Sequence, residues 1–355
     1  MMMKYIYSIL LVLFFTGCGD DNSYDGETGL IGTVSAQSAN LDQLYTDVYQ
    51  YDANLSLVKL SALLTDLQTL QIQQDAQTLN SAQESFKEFI RTQKRVEASF
   101  IVDEFSDEFL DTLGYMEYFH VADDGDLISE LDRIFANDTV LENALYKNAN
   151  QSITSLEYTL FGADENTTQL LEKFDARRAQ AAYLMASQVQ TYTQQIVAFY
   201  NSDTSFTQDL DVTTAALINQ LIDSAYKLKE WRIGEAAGFV LKYAGSVDHR
   251  RLEYYKSAFS LDAIEEILLT HQRIMQNGLS EIASGANAAA EAQAVEESIV
   301  AALTLCNSYA SGLEESLELQ KTQDLYNAVN LIQQNYTALI SSLNFTQKII
   351  EADGD

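Results

Sequence analysis

The chain has 355 residues, with 52 Asp and Glu against 21 Lys and Arg, and a formal net charge of −31. A chain this acidic lacks the basic footprint that nucleic acid demands, so no nucleic-acid partner is expected. Proline is absent, which at this length points to uninterrupted helices, because proline otherwise marks kinks, turns and edge strands.

Residues 1–17 read as a targeting segment. Lys4 supplies the charge, Ile6 to Phe15 a short apolar run, and Thr16-Gly17-Cys18 the cleavage site of a lipoprotein. The run is short for a membrane span. Cys18 is therefore expected to become the lipidated first residue, with the membrane as partner through its acyl chains. Gly19, rather than Asp, follows it, and this favours an outer-membrane lipoprotein of the cell envelope. Residues 18–32 are polar, acidic and glycine-rich, as in a flexible tether. With Cys18 lipidated, Cys306 has no partner; it shares a helical stripe with Ile299, Leu303, Ala310 and Leu313 and is expected to be a buried, inert thiol.

Helical periodicity recurs along the chain. Leu41, Leu44, Val48, Tyr51, Leu55, Val58 and Ala62 alternate spacings of three and four, as do Met185, Val189, Tyr192, Ile196 and Phe199, and Leu325, Val329, Ile332, Tyr336, Leu339 and Leu343. No stretch alternates with period two, so the fold class is all-α. The length exceeds what one bundle usually buries, so two units are expected. The first, residues 33–162, carries helices near 33–74, 80–101, 104–119 and 126–161, the last broken at Asn137-Asp138. The second, residues 163–355, carries helices near 169–201, 211–243, 260–277, 287–318 and 321–350. Loops are predicted at 201–211, 245–251 and 276–287, where Gly, Ser and Asn gather.

Within Asn150 to Gly162, NQSITSLEYTLFG, apolar Ile153, Leu156 and Leu160 share one helix face, and Glu157 falls on the edge of that stripe. Thr154 lies one turn before it on nearly the same side. A carboxylate half inside an apolar face needs a partner, and Arg177 or Arg178 of the next helix would serve in a purely structural role. Glu157 is the strongest candidate for chemistry. The histidines, His120, His249 and His271, are far apart in sequence, form no zincin motif, and read individually as satisfied polar residues. No nucleophile elbow supports a serine triad. The acidic turn Asp123 to Asp126 lacks the spacing of a calcium loop and reads as the cap of a helix beginning near Leu127.

The same segment resembles the imelysin-like proteins, bacterial envelope proteins whose signature is G-x-H-x-x-E followed by an aromatic, a Leu pair and Gly. Glu157, Tyr158 and Leu160-Phe161-Gly162 match it, while Ser152 stands for the glycine and Thr154 for the histidine. The resemblance continues at Ala144 to Asn148, Lys229 to Gly234, Glu253 to Ser260 and Ala352 to Asp355. It implies two four-helix bundles side by side, with the signature facing the cleft between them. It also marks Glu253, Ser257 and Ser260 as a second polar segment. The alternative for that stretch is that Arg250 and Arg251 merely cap a helix end.

What the resemblance implies for function is a non-enzymatic binding protein connected with metal, chiefly iron, acquisition, with Glu157, Thr154, Ser152, Glu253, Ser257 and Ser260 as candidate ligands. Such oxygens suit a divalent or ferric ion, and an envelope protein would be a further partner. The metallopeptidase activity after which the family is named needs about three protein ligands and an activated water; with Thr154 in place of the histidine, hydrolysis is not expected. A structural or protein-interaction bundle is the remaining reading.

Overall fold

Cooperative burial of amphipathic stripes produces two packed groups of helices. The computed structural model describes residues 34–120, 124–163, 165, 167–203 and 205–348. The targeting segment, Cys18, the tether, Asp123 of the acidic turn and the terminal residues 349–355 lie outside the described residues. Among the described residues there is no strand, as the periodicity requires. None of the described helices is long and apolar enough to cross a membrane.

Helix α1 (Val34–Leu44) passes through a wide π-helical turn, Tyr45–Gln50, into α2 (Tyr51–Ile72). Helix α3 (Ala76–Ala98) opens earlier than predicted because Asp75 caps it: its carboxylate accepts from the Thr78 N–H at 2.9 Å. The helix expected over 104–119 does not form. Two 3-10 turns, Val102–Glu104 and Asp107–Phe109, lead instead to the short α4 (Thr112–Met116). Asp103, Ser106, Asp107 and Asp111 punctuate this stretch, and their side chains favour turns over helix interiors.

The segment expected as a helix over 126–161 with one break is divided further, into α5 (Asp124–Phe135), α6 (Leu141–Ala144) and α7 (Ile153–Phe161). Asn137 makes the predicted break, donating to the Arg133 carbonyl and accepting from the Thr139 N–H. Helices α8 (Thr167–Lys173) and α9 (Ala176–Ser202) follow, separated by the Asp175 cap. Helix α10 (Leu210–Lys227) runs through a second π-helical stretch, Leu228–Gly234, into α11 (Glu235–Ala237). It stops short of the predicted 243 because Gly238 turns the chain at φ 71°, where a Cβ would stand 2.8 Å from the Ser246 nitrogen.

Helix α12 (Ser260–Ile274) continues through the turns of Met275–Leu279 into α13 (Ser280–Gly285), so the loop expected at 276–287 is largely helical. Helices α14 (Ala289–Cys306) and α15 (Gln320–Ser342) complete the fold, both ending before the predicted limits.

Helix α2 packs on α3 and α9, and α7 on α9 and α3, forming one four-helix group. Helices α10, α12, α14 and α15 form the other, and α3 against α12 joins the two. Helix α9 thus completes the first group, while α1 packs against α13 and α10 on the side of the second. Cys306 is buried and free, and burial pushes its thiol up to about 12. Alkylating reagents are therefore expected to leave Cys306 unmodified in the folded chain and to reach it only in denaturant. Mass spectrometry at that residue decides this, and fast labelling without denaturant would show that the end of α14 opens.

Candidate functional site

The site begins at the start of α7. Ser152 sits in an extended conformation and its hydroxyl accepts from the Ser155 N–H while donating to the Ala149 carbonyl at 2.8 Å. Ser152 is thus a helix cap and does not reach the cleft, contrary to expectation. Gly162 ends the helix at φ 73°, as predicted. Between them Ile153, Leu156 and Leu160 are buried, and so is Glu157, at 1% exposure rather than at a half-buried edge.

Arg177 and Arg178 are not its partners. Arg177 donates to the Ile134 and Thr139 carbonyls, and Arg178 to those of Tyr158 and Thr159 in the last turns of α7. The partners of Glu157 come from a hundred residues away. Its Oε1 accepts from the Ser257 N–H at 2.9 Å and the Ser257 hydroxyl at 2.7 Å, and its Oε2 stands 3.9 Å from Lys256 Nζ. Burial pushes the carboxyl up to about 7, against the pull of Lys256 and of the Ser257 donors, and nearby Glu117 adds to the rise.

Segment 252–259 is shaped for this contact. Tyr254 (φ 62°) and Ala258 (φ 51°) both occupy the left-handed region, where non-glycine residues are uncommon and each costs about 1–3 kcal/mol. The two bends bring the Ser257 donors to Glu157 and the Tyr254 hydroxyl to Glu117 Oε2 at 2.8 Å. Glu117 is the main residue that the sequence reading missed. It follows α4, accepts from the Tyr118 N–H at 2.9 Å, and bonds the Thr154 hydroxyl, which also accepts from the same N–H at 3.1 Å. Burial raises its carboxyl, although Lys94 draws it down. The available signal was a lone carboxylate inside the aromatic run Tyr115 to Phe119.

Below lies a network of buried ion pairs. Glu253 takes Lys94 Nζ on Oε1 at 2.5 Å and Arg232 Nε on Oε2 at 2.6 Å, and Glu97 bridges the same two cations. Lys94 is fully buried, on the stripe of Phe86 and Ile90 at helical spacing. A lysine in that register was its legible signal.

Ser260, in contrast, lies away from the cleft. It is the first residue of α12; its N–H donates to Glu314 Oε1 at 3.3 Å, and its hydroxyl is buried without a partner. Of the six candidates, then, Thr154, Glu157 and Glu253 line one cavity, and Ser257 backs it. Ser152 and Ser260 do not belong to it. The cavity has a volume of about 690 Å³ and is also lined by Glu117, Tyr254, Lys256, Lys242, Arg250 and Arg251. At its rim His120 Nε2 stands 2.6 Å from Glu235, and the ring stacks on Trp231 at 4.2 Å. His271 is buried on Ser224, where burial lowers it to about 3 and keeps it neutral.

The donor set does not fit a resident catalytic metal. Among the described residues no group of three or more His, Cys, Asp or Glu is placed to hold one. Both oxygens of Glu253 are spent on cations, and Glu117 and Oε1 of Glu157 on their own hydrogen-bond donors.

A model of the family described as Peptidase M75, imelysin, matches residues 49–343. An imelysin-like protein from Psychrobacter arcticum superposes with a TM-score of 0.68 at 15% identity, covering 90% of this chain and 99% of that one. A protein from Parabacteroides distasonis, described as an iron-regulated protein A precursor, gives 0.67 at 13% identity, covering 89% and 97%. At these identities the likeness to solved structures establishes the shared fold. No curated protein matches the sequence.

Proposed function

The chain belongs to the imelysin family, and on that premise we propose that it is a non-catalytic binding protein of the cell envelope that receives iron as cargo. It would be held on the outer membrane through lipidated Cys18. The observation that carries the reading is the floor of the cavity. The carboxyls of half-buried Glu117 and buried Glu157 are both raised by desolvation, anchored by hydroxyls and backbone N–H groups on one side, and border a 690 Å³ space. Groups held at such cost concentrate where ligands bind.

The kinship in fold with an iron-regulated protein precursor supports iron as the cargo. Peptidase chemistry is the weaker reading, because the ligand set that hydrolysis needs is not assembled and Thr154 is committed to Glu117. The test is equilibrium dialysis of the mature protein against iron, offered separately as Fe²⁺ and as ferric citrate. About one bound iron per chain is expected from at least one form, with binding lost in Glu157→Gln and no chelator-sensitive proteolysis. Failure to retain iron from either form would overturn the proposal.

A further inference from the structure

We propose that a second groove, between residues 247–250 and the connection from α14 to α15, docks a basic segment of a partner protein that carries an apolar side chain among its cations. The inference concerns a different surface from the cavity and stands apart from the iron reading.

The groove has an exposed apolar lining. The α14–α15 connection is pinned by Leu313 and Leu317, both buried, yet Leu319 stands 48% exposed. Val247, on the other loop, is 40% exposed. Val247, Leu317 and Leu319 together line a groove of about 660 Å³. Exposed apolar side chains gathered inside a polar rim mark surfaces where proteins meet.

Both walls are fixed by their own hydrogen bonds. The Asp248 N–H donates to the Ala236 carbonyl at 2.9 Å, and the Gly245 N–H to the Gly238 carbonyl at 2.9 Å. Opposite, the Ser316 carbonyl accepts from the Leu319 N–H at 3.0 Å and from the Thr322 hydroxyl at 2.7 Å. A preformed groove spares a binder the cost of ordering it.

The rim is acidic. Asp248, Glu314, Glu315 and Glu318 line the groove against one guanidinium, Arg250, and the His249 imidazole. Arg250 is engaged with both oxygens of Asp248 at 3.1 Å, which leaves three glutamates. Among the described residues none of the three has an ion-pair partner. Glu315 and Glu318 are exposed, so an incoming Lys or Arg reaches them without displacing a resident cation.

The same charge selects the occupant. Residues 18–33 hold Asp20, Asp21, Asp25 and Glu27 and no Lys or Arg, and residues 349–355 add Glu351, Asp353 and Asp355. A second copy carries −31 in its turn. All of these are repelled by unneutralised glutamates, whereas a basic segment of another protein is attracted to them and covers Val247 and Leu319 with its apolar side chain. Asp248 and Arg250 line both this groove and the cavity, so the docked segment borders the cavity mouth.

The probe is a fluorescently labelled pentapeptide of alternating lysine and leucine with lysine at both ends, read by anisotropy on the mature protein. It should bind at least tenfold more tightly than a counterpart with serine for leucine or one with glutamate for lysine, and more weakly as salt rises. Glu315→Lys/Glu318→Lys should lower its affinity about tenfold or more. Val247→Ser/Leu319→Ser should remove its advantage over the serine peptide. All four positions are exposed, and circular dichroism checks that the variants fold. Equal binding of the leucine and serine peptides would reduce the effect to diffuse attraction by an acidic chain and overturn the groove. So would absence of binding, or an affinity unchanged in either variant.

Discussion

Replacing Glu157 by Gln should flatten the pH dependence of stability and leave the protein as stable as the wild type, or more so, at pH 8. In the folded chain this carboxyl titrates at about 7, against an ordinary value of 4.5. Between those values the folded state holds a proton that the unfolded state has released. Stability contributed by the protonated group is therefore fully present below 4.5 and is lost as pH rises through 7. A displacement of that size corresponds to about 3 kcal/mol.

Glutamine does not ionise, yet its amide oxygen still accepts from Ser257. Lys256 keeps the face of Tyr255 at 4.2 Å, which tempers the loss of its charged neighbour. Glu117, also raised by burial, leaves a residual slope. Urea unfolding of both proteins at pH 5 and pH 8 measures the difference. A variant that is less stable at pH 8, with the wild-type slope unchanged, would show that the charge of Glu157 is a structural need. The site role would then be lost.

The largest loss of stability is expected from Lys94→Met. Burial alone would push Lys94 down, but Glu253 and Glu97 outweigh it and raise it. Burial works against the charged form of Glu97 too, yet Arg232 and Lys94 hold it down at about 2. Methionine keeps most of the stem and removes the charge, leaving the buried Glu253 and the partly buried Glu97 carboxylates to share Arg232. Breaking a buried pair in this way costs about 3–5 kcal/mol. The second change in Lys94→Met/Glu97→Gln removes the excess negative charge and should recover part of that loss. Denaturant midpoints of the three proteins test this, and a single variant within about 1 kcal/mol of wild type would refute a stabilising network.

The pH signs follow from the same shifts. The Glu97 contribution is present above 4.5 and is lost as pH falls toward 2, whereas that of Lys94 is present below 10.5 and is lost in alkali.

What the sequence determined by itself is what acts within a turn or two of helix. The missing proline and the three–four spacings specified an all-α chain. Ile153, Leu156, Leu160 and Gly162 located α7 and its stop, and Glu157 stood out because a carboxylate beside that stripe is costly. The motif resemblance added the segment Glu253 to Ser257, which the fold does bring to Glu157. Cap and break chemistry was legible at Asn137 but underestimated at Asp75, Asp175 and Gly238, because a cap competes with propensity only when the chain leaves the helix axis there.

Only the tertiary structure decided which polar groups meet. Glu117 reaches Thr154 from 37 residues away, Lys94 reaches Glu253 across 159, and Ser257 reaches Glu157 across 100. Such encounters depend on where two bundles close and on two left-handed residues, Tyr254 and Ala258, that no periodicity announces. Ser152 and Ser260 sit beside the right residues in sequence, yet one caps α7 and the other turns toward Glu314. Helical spacing settles which face a residue occupies, but the direction of a side chain at a helix end is settled by the loop that enters it.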